Sequence, residues 1–91
     1  MDLRKKNLKK VLNAMKKIIN DLINEYKEKN IDIVITYEDD DKITINVISY
    51  FENKKYIEDL EILNSFTDKE IIKTNIEYLI KYSHNRYLRG E

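Results

Sequence analysis

The sequence predicts an α+β fold that consists of a long N-terminal helix, an antiparallel β-hairpin and a C-terminal helix. Near both ends of the chain, apolar residues recur every three or four positions, which is typical of helices. Between residues 31 and 51, apolar and polar residues alternate in two runs rich in β-branched side chains, which is typical of strands. The length of 91 residues suits a single domain over residues 1–91 with one small core.

Residues 2–29 are predicted to form one amphipathic helix. Its apolar stripe has the spacing of alternating three and four residues and consists of Leu8, Leu12, Met15, Ile19, Leu22 and Tyr26. Val11, Ile18 and Ile23 widen this stripe, as a helix that packs on a sheet requires. Asn30 is expected to end the helix, because asparagine tolerates the left-handed conformation.

The hairpin is predicted to join strands at residues 31–37 and 42–51 through the turn Asp39-Asp40-Asp41, since aspartate accepts turn conformations. A three-residue loop sets the register that gives favourable cross-strand pairs. In this register the pairs are Ile35 with Ile45, Thr36 with Thr44, Tyr37 with Ile43 and Glu38 with Lys42. Tyr37 is then expected on the same apolar face as Ile35.

Residues 54–64 allow two interpretations. As a short helix they place Tyr56, Ile57, Leu60 and Leu63 on one face. As a third strand they follow a turn at Glu52-Asn53-Lys54-Lys55 and turn Tyr56, Leu60 and Ile62 inward, with Glu58 breaking the pattern. A two-stranded hairpin is marginally stable, which favours the strand, but we favour the helix slightly.

A helix over residues 68–84 or slightly beyond is predicted from a capping box at Thr67-Asp68-Lys69-Glu70. In this motif Thr67 is the N-cap residue and Glu70 is the third helical residue. The apolar face that follows contains Ile72, Ile76, Leu79 and Ser83.

Charged residues are segregated along the chain. Residues 1–17 contain seven basic residues and one acidic residue, a net charge of +6. Residues 31–70 contain eleven acidic residues and four lysines, a net charge of −7. The formal net charge of the whole chain is nevertheless zero. A surface of this kind can attract charged partners of either sign.

Three candidate binding surfaces follow from this pattern. The basic face of the first helix consists of Lys5, Lys6, Lys9, Lys10, Lys16 and Lys17 and suits nucleic acid or an acidic protein. The acidic patch consists of Glu38, Asp39, Asp40 and Asp41 and suits a basic partner. The aromatic–basic tail consists of Tyr82, Arg86, Tyr87 and Arg89, residue types that are enriched in binding hot spots. The alternatives are a solvated helix face, a solvated turn and a frayed C-terminus.

The sequence argues against several classes of chemistry. Its single glycine, Gly90, excludes a glycine-rich phosphate loop, and no common metal or nucleophile motif occurs. We therefore expect no catalytic residue, no metal and no cofactor. His84, the only histidine, is expected to interact with the last carbonyl groups of its helix. Apolar runs of at most three residues predict no membrane span, and the absence of cysteine suits the cytoplasm.

If residues 54–64 form a strand, the order α-β-β-β-α resembles that of double-stranded-RNA-binding domains. The resemblance is one of topology only. Such domains carry a basic cluster at the start of the last helix, where this chain has Thr67-Asp68-Lys69-Glu70. The size, composition and charge segregation also resemble those of small phage- or virus-encoded inhibitors, anti-CRISPR proteins among them.

The expected function is that of a non-catalytic protein-interaction domain that binds or blocks a partner protein. The alternative is a small nucleic-acid-binding protein that uses the basic face. Neither function involves a membrane. Both are compatible with a homodimer, because a short sheet with open edges favours pairing.

Overall fold

A computed structural model describes residues 3–63 and 68–91, with side chains of the first helix described from residue 13. The chain forms the order α-β-β-β-α, which confirms the predicted α+β fold. The elements are α1 (Leu3–Lys27), β1 (Ile31–Glu38), β2 (Lys42–Phe51), β3 (Lys54–Leu63) and α2 (Lys69–Leu88).

The segment after the hairpin is a third strand, so the preference for a helix over residues 54–64 was wrong. β3 pairs antiparallel with β2 from Phe51 opposite Lys54 to Lys42 opposite Leu63, without a register shift. Pairing stabilises the hairpin by adding a strand to its open edge, which outweighs the small gain from ion pairs within a helix. The turn is shorter than expected, since only Glu52 and Asn53 lie between the strands.

A β-bulge changes the predicted register of the first hairpin. Ile35 lies opposite Ile45 as expected, but Tyr37 lies opposite Thr44 and Glu38 opposite Ile43. The predicted partners of Thr36, Tyr37 and Glu38 were therefore wrong. The shift falls between Ile35 and Tyr37, so one strand carries an extra residue and side chains beyond it exchange faces. Tyr37 is consequently turned away from the core and is 50% exposed.

Both helices pack on the same face of the sheet, whose strands lie in the order β1-β2-β3. The alternating residues of the central strand, Ile43, Ile45 and Val47, are buried as predicted. One continuous core joins them to neighbours from every other element. These neighbours are Met15, Ile19, Leu22, Tyr26, Ile33, Ile62, Ile72 and Ile76. The opposite face of the sheet is covered by neither helix.

The ends of the helices follow local rules. Asn30 has a φ of 61°, which confirms its expected left-handed conformation after α1. The N-cap of α2 is Asp68, whose carboxylate accepts a hydrogen bond of 2.9 Å from the Glu70 amide. The predicted cap one residue earlier was therefore misplaced, and Thr67 itself lies outside the described residues.

Polar contacts tie α1 to α2 beside the core. The buried Tyr26 donates a hydrogen bond of 2.5 Å from its hydroxyl to Oε1 of Glu77. Burial and the Glu77 carboxylate raise the pKa of Tyr26 well above its ordinary value of 10.0. Glu25 accepts a hydrogen bond of 2.7 Å from Lys73, which lowers the pKa of Glu25. These contacts fix the lateral position of the two helices beneath the sheet.

We expect the two faces of the sheet to differ sharply in sensitivity to truncation. Ile45→Ala removes a fully buried side chain from the central strand and should lower the free energy of unfolding by about 2–5 kcal/mol. The control Val34→Ala alters a side chain on the uncovered face that is 46% exposed and should cost less than about 1 kcal/mol. Urea denaturation measures both, and equal losses would contradict the one-sided core.

Tyr26→Phe should lower the free energy of unfolding at neutral pH by about 1 kcal/mol, because the hydrogen bond to Glu77 is lost. The raised pKa of Tyr26 also means that its hydroxyl stabilises the fold fully below the ordinary value of 10.0. This contribution should decline as the pH rises above that value. Urea denaturation between pH 7 and pH 11 should therefore show a shallower alkaline loss in the variant. An equal loss of stability at alkaline pH in Tyr26→Phe and in the unchanged chain would contradict this role of the hydroxyl.

Candidate protein-interaction surface

Asp39 of the acidic patch organises the hairpin turn. Its carboxylate accepts hydrogen bonds from the amides of Asp41 at 2.8 Å and Lys42 at 2.9 Å, and from the Tyr37 hydroxyl at 2.7 Å. The hydroxyl and the two amides lower the pKa of Asp39. The Asp39 carboxylate therefore stabilises the turn.

The acidic patch and the basic face meet at one ion pair. Nζ of Lys16 lies 3.1 Å from Oε1 of Glu38, with both side chains partly exposed. Asp41 is exposed, and its carboxylate has no hydrogen bond or ion pair to another described residue. Glu38 and Asp39 of the patch thus serve the fold, whereas Asp41 forms an acidic tip.

Only part of the basic face can be placed side chain by side chain. Lys17 is exposed on α1, and Lys16 is half-buried beside β1. Lys5, Lys6, Lys9 and Lys10 lie on α1 in the part whose side chains are not described. Because α1 packs beneath the sheet, Lys17 lies on the opposite side of the molecule from the uncovered face.

The arginines of the aromatic–basic tail are paired within the chain. Arg86 donates to Oε1 of Glu58 at 3.1 Å, and its guanidinium lies 5.4 Å from the ring centre of Tyr56 and 5.9 Å from that of Tyr82. Nε of Arg89 lies 2.5 Å from Oε2 of Glu91. Glu58 interrupts the apolar alternation of β3, and Arg86 balances its negative charge. The tail continues α2 instead of fraying, since the helix extends to Leu88.

Phe51 lies at the centre of a cluster of rings at the end of the sheet. Its ring centre lies 4.9 Å from that of His84, 5.6 Å from that of Tyr87 and 5.9 Å from that of Tyr56. His84 thus packs on Phe51 with an angle of 34° between the ring planes, in place of the contact with helix carbonyls that we expected. A hydrogen bond to Glu52 raises the pKa of Tyr87. This cluster fastens the end of α2 to the second hairpin.

The sequence-based search missed the uncovered face of the sheet, which we call the open face. Val34, Tyr37, Tyr50 and Ile57 project from it, and each is 46–50% exposed. Tyr50 donates a hydrogen bond of 3.2 Å to Asp32, which restricts its ring. Val34 and Tyr50 lay at outward positions of the predicted hairpin, but the bulge at Tyr37 and the helix preferred for residues 54–64 concealed this face.

The strands contribute three carboxylates and two lysines to the open face. Asp32, Asp59 and Glu61 follow the outward alternation of β1 and β3, and the acidic tip lies at one end. Lys42 is paired with Glu61 at 2.5 Å, which raises the pKa of Lys42. Lys55 is the other cation of this face. Carboxylates therefore lie among half-exposed apolar and tyrosine side chains along the outer strands of this face.

A groove of about 210 Å³ between β3 and α2 is lined mainly by apolar side chains, among them Leu60, Leu63 and Ile71. Within residues 3–63 and 68–91, no three potential metal-binding side chains form a cluster. Neither described helix combines the length and the apolar character needed to cross a membrane. Comparison with protein families, curated proteins and solved structures finds no match.

Asp39→Ala should lower the midpoint of thermal unfolding at pH 7, because two amides and one hydroxyl lose their acceptor. The matched control Asp41→Ala should leave the midpoint nearly unchanged. Since the pKa of Asp39 is lowered, its stabilisation is present above the ordinary value of 3.8 and is lost as the pH falls below it. Thermal melts between pH 2 and pH 7 should show a weaker acid dependence for Asp39→Ala, and equal effects of both variants would contradict the turn role.

Proposed function

We propose that this chain is a non-catalytic protein-interaction domain that binds a partner protein through its open face. The observation that carries the proposal is the combination on one surface of half-exposed Val34, Tyr37, Tyr50 and Ile57 with the carboxylates of Asp32 and Asp59. Interfaces favour aromatic residues at their centre and polar residues at their edge. A sheet that presents such side chains on rigid strands loses little entropy when it binds.

The charge of the open face selects the chemistry of the partner. Asp32, Asp59 and the acidic tip at Asp41 favour a basic protein surface, and complementary fields speed encounter and reject acidic partners. A basic surface with apolar contacts is typical of proteins that bind nucleic acid. A domain docked on such a surface would exclude the nucleic acid and so act as an inhibitor, a role that would fit a phage- or virus-encoded protein of the anti-CRISPR kind, which its composition resembles. Its composition suits a partner in the cytoplasm.

Nucleic-acid binding through the basic face is supported less well. Lys16 is paired with Glu38, and the tail arginines are paired with Glu58 and Glu91. These cations are thus already engaged, and releasing them for phosphate would break internal ion pairs. The carboxylates at the β1–β2 turn would also repel a phosphate backbone nearby.

Site-specific cross-linking tests the proposal directly. A photoreactive benzoylphenylalanine placed at Tyr50 on the open face should cross-link a protein in nuclease-treated lysate of the native host. The same group placed at Lys17, on the far side of the molecule, serves as the matched control and should give no such product. Cross-linking from Lys17 that disappears with nuclease would support the nucleic-acid alternative and contradict the proposal.

Variants that change the charge or the apolar surface of the open face should then weaken the same complex. Asp41→Lys reverses the free carboxylate at the acidic tip, and Val34→Asp places a charge among the half-exposed apolar residues. We expect each to reduce the affinity for the cross-linked partner about tenfold or more, because each places a wrong charge at the interface. Lys17→Asp should bind as the unchanged chain does. Titration calorimetry with the purified partner measures these affinities, and no loss with either open-face variant would refute the assignment.

A further inference from the structure

The two outer strands of the sheet differ in how their free edges are protected. β1 carries the bulge beside Thr36, and the Lys16–Glu38 ion pair crosses its end. Bulges twist an edge away from pairing, which is a common protection against association. β3 pairs with β2 over ten residues without any irregularity. The free edge of β3 is therefore the regular one.

Backbone groups along this edge are available for pairing. The second hairpin closes directly from Phe51 to Lys54, so Lys54 directs its amide toward β2. The alternation of an antiparallel ladder then turns the N–H and C=O groups of Lys55, Ile57 and Asp59 outward. No backbone hydrogen bond from another described element reaches these three residues.

The sequence of β3 is complementary to itself about Ile57. When a strand pairs with its own copy across a two-fold axis, one residue faces itself and its neighbours pair symmetrically. With Ile57 at the centre, two half-exposed isoleucines meet, and Lys55 of each copy lies opposite Asp59 of the other. Opposite charges directly across an antiparallel pair stabilise it.

Other centres within β3 are less favourable. Centring the pair on Glu58 or on Asp59 would bring identical carboxylates face to face. Centring it on Leu60 would place Asp59 opposite Glu61 twice. Like charges directly opposite each other destabilise a strand pair. Ile57 is the centre that pairs seven residues, Lys54 to Leu60, without such a conflict.

Two exposed tyrosines of α2 lie beside the same edge. Tyr82 is 44% exposed and contacts Arg86, which is bound to Glu58, so its ring lies near the level of Ile57. Tyr78, one turn away, is 68% exposed. A strand added to β3 would continue the sheet past α2 and cover part of this aromatic stripe.

We propose that the chain forms a homodimer in which the free edges of two β3 strands pair antiparallel about Ile57 and create a continuous six-stranded sheet. This dimer does not depend on the proposed function of the open face. The pairing contributes six backbone hydrogen bonds, two each from the Lys55–Asp59 pairs and two between the Ile57 residues, as antiparallel geometry requires. Both open faces then lie on the same side of the combined sheet.

Charge exchange tests the proposed pairing. Sedimentation equilibrium of the full chain should show twice the monomer mass. Lys55→Asp or Asp59→Lys alone should raise the dimer dissociation constant about tenfold or more, since each creates two like-charge pairs. The double variant Lys55→Asp with Asp59→Lys should restore dimerisation, because the charges are exchanged within the same register. Lys17→Asp is the matched control and should dimerise normally.

A monomer at every concentration would overturn the proposal. So would a dimer that survives Ile57→Asp, which would place two carboxylates at the centre, or a double variant that fails to recover. Circular dichroism establishes that each variant is folded. Hydrogen exchange gives an independent readout: the amides of Lys55, Ile57 and Asp59 should be protected in proportion to dimer content. Rapid exchange of these amides in a dimeric sample would also overturn the pairing.

Discussion

The one-sided packing of helices on a three-stranded sheet determines the rest of this molecule. Two helices of 25 and 20 residues bury alternate side chains of all three strands, and no further element is described that could cover the other face. Antiparallel sheets commonly tolerate this arrangement, with one face packed and one face solvated. In this chain the solvated face retains Val34, Tyr37, Tyr50 and Ile57, which a purely solvated face does not require.

Charge segregation in the sequence becomes a different pattern in the folded chain. Glu25, Glu38, Glu58 and Glu61 are each bound by a cation from another element, although all but the first belong to the acidic segment. The folded chain therefore neutralises much of the segregated charge through contacts that are distant in sequence. Among the residues whose side chains are described, Asp32 and Asp59 on the open face and exposed Lys17 on the far side form no ion pair with another element.

The fold could be predicted from the sequence wherever one periodicity dominated. The buried α1 residues Met15, Ile19, Leu22 and Tyr26 follow their spacing, and the alternation of β2 is preserved. Residues 54–63 were ambiguous because Glu58 interrupts the strand pattern. Its compensation comes from Arg86, 28 residues later, and no local rule identifies that partner. The bulge could not be predicted either, because favourable individual cross-strand pairs do not reveal the local twist of a strand.

The candidate site was less predictable than the fold for the same reason. Asp39 looked like part of a binding patch, yet its carboxylate holds the turn, and the tail arginines looked free, yet they are paired. A charge in a sequence indicates a binding surface only if the folded chain leaves it without a partner. The open face was hidden in the sequence because the bulge turns Tyr37 toward it and the third strand adds Ile57.

The open face and the free edge of β3 share a physical origin in the shape of this sheet. A sheet of three strands has two edges, and here the bulge protects one of them while the other stays regular. The proposed pairing at the regular edge has its two-fold axis perpendicular to the sheet, so it leaves each open face exposed and aligns the two. Two linked copies of a weak docking surface bind an extended or repeated partner more tightly than either copy alone. A small domain can thereby obtain a recognition surface larger than one chain provides.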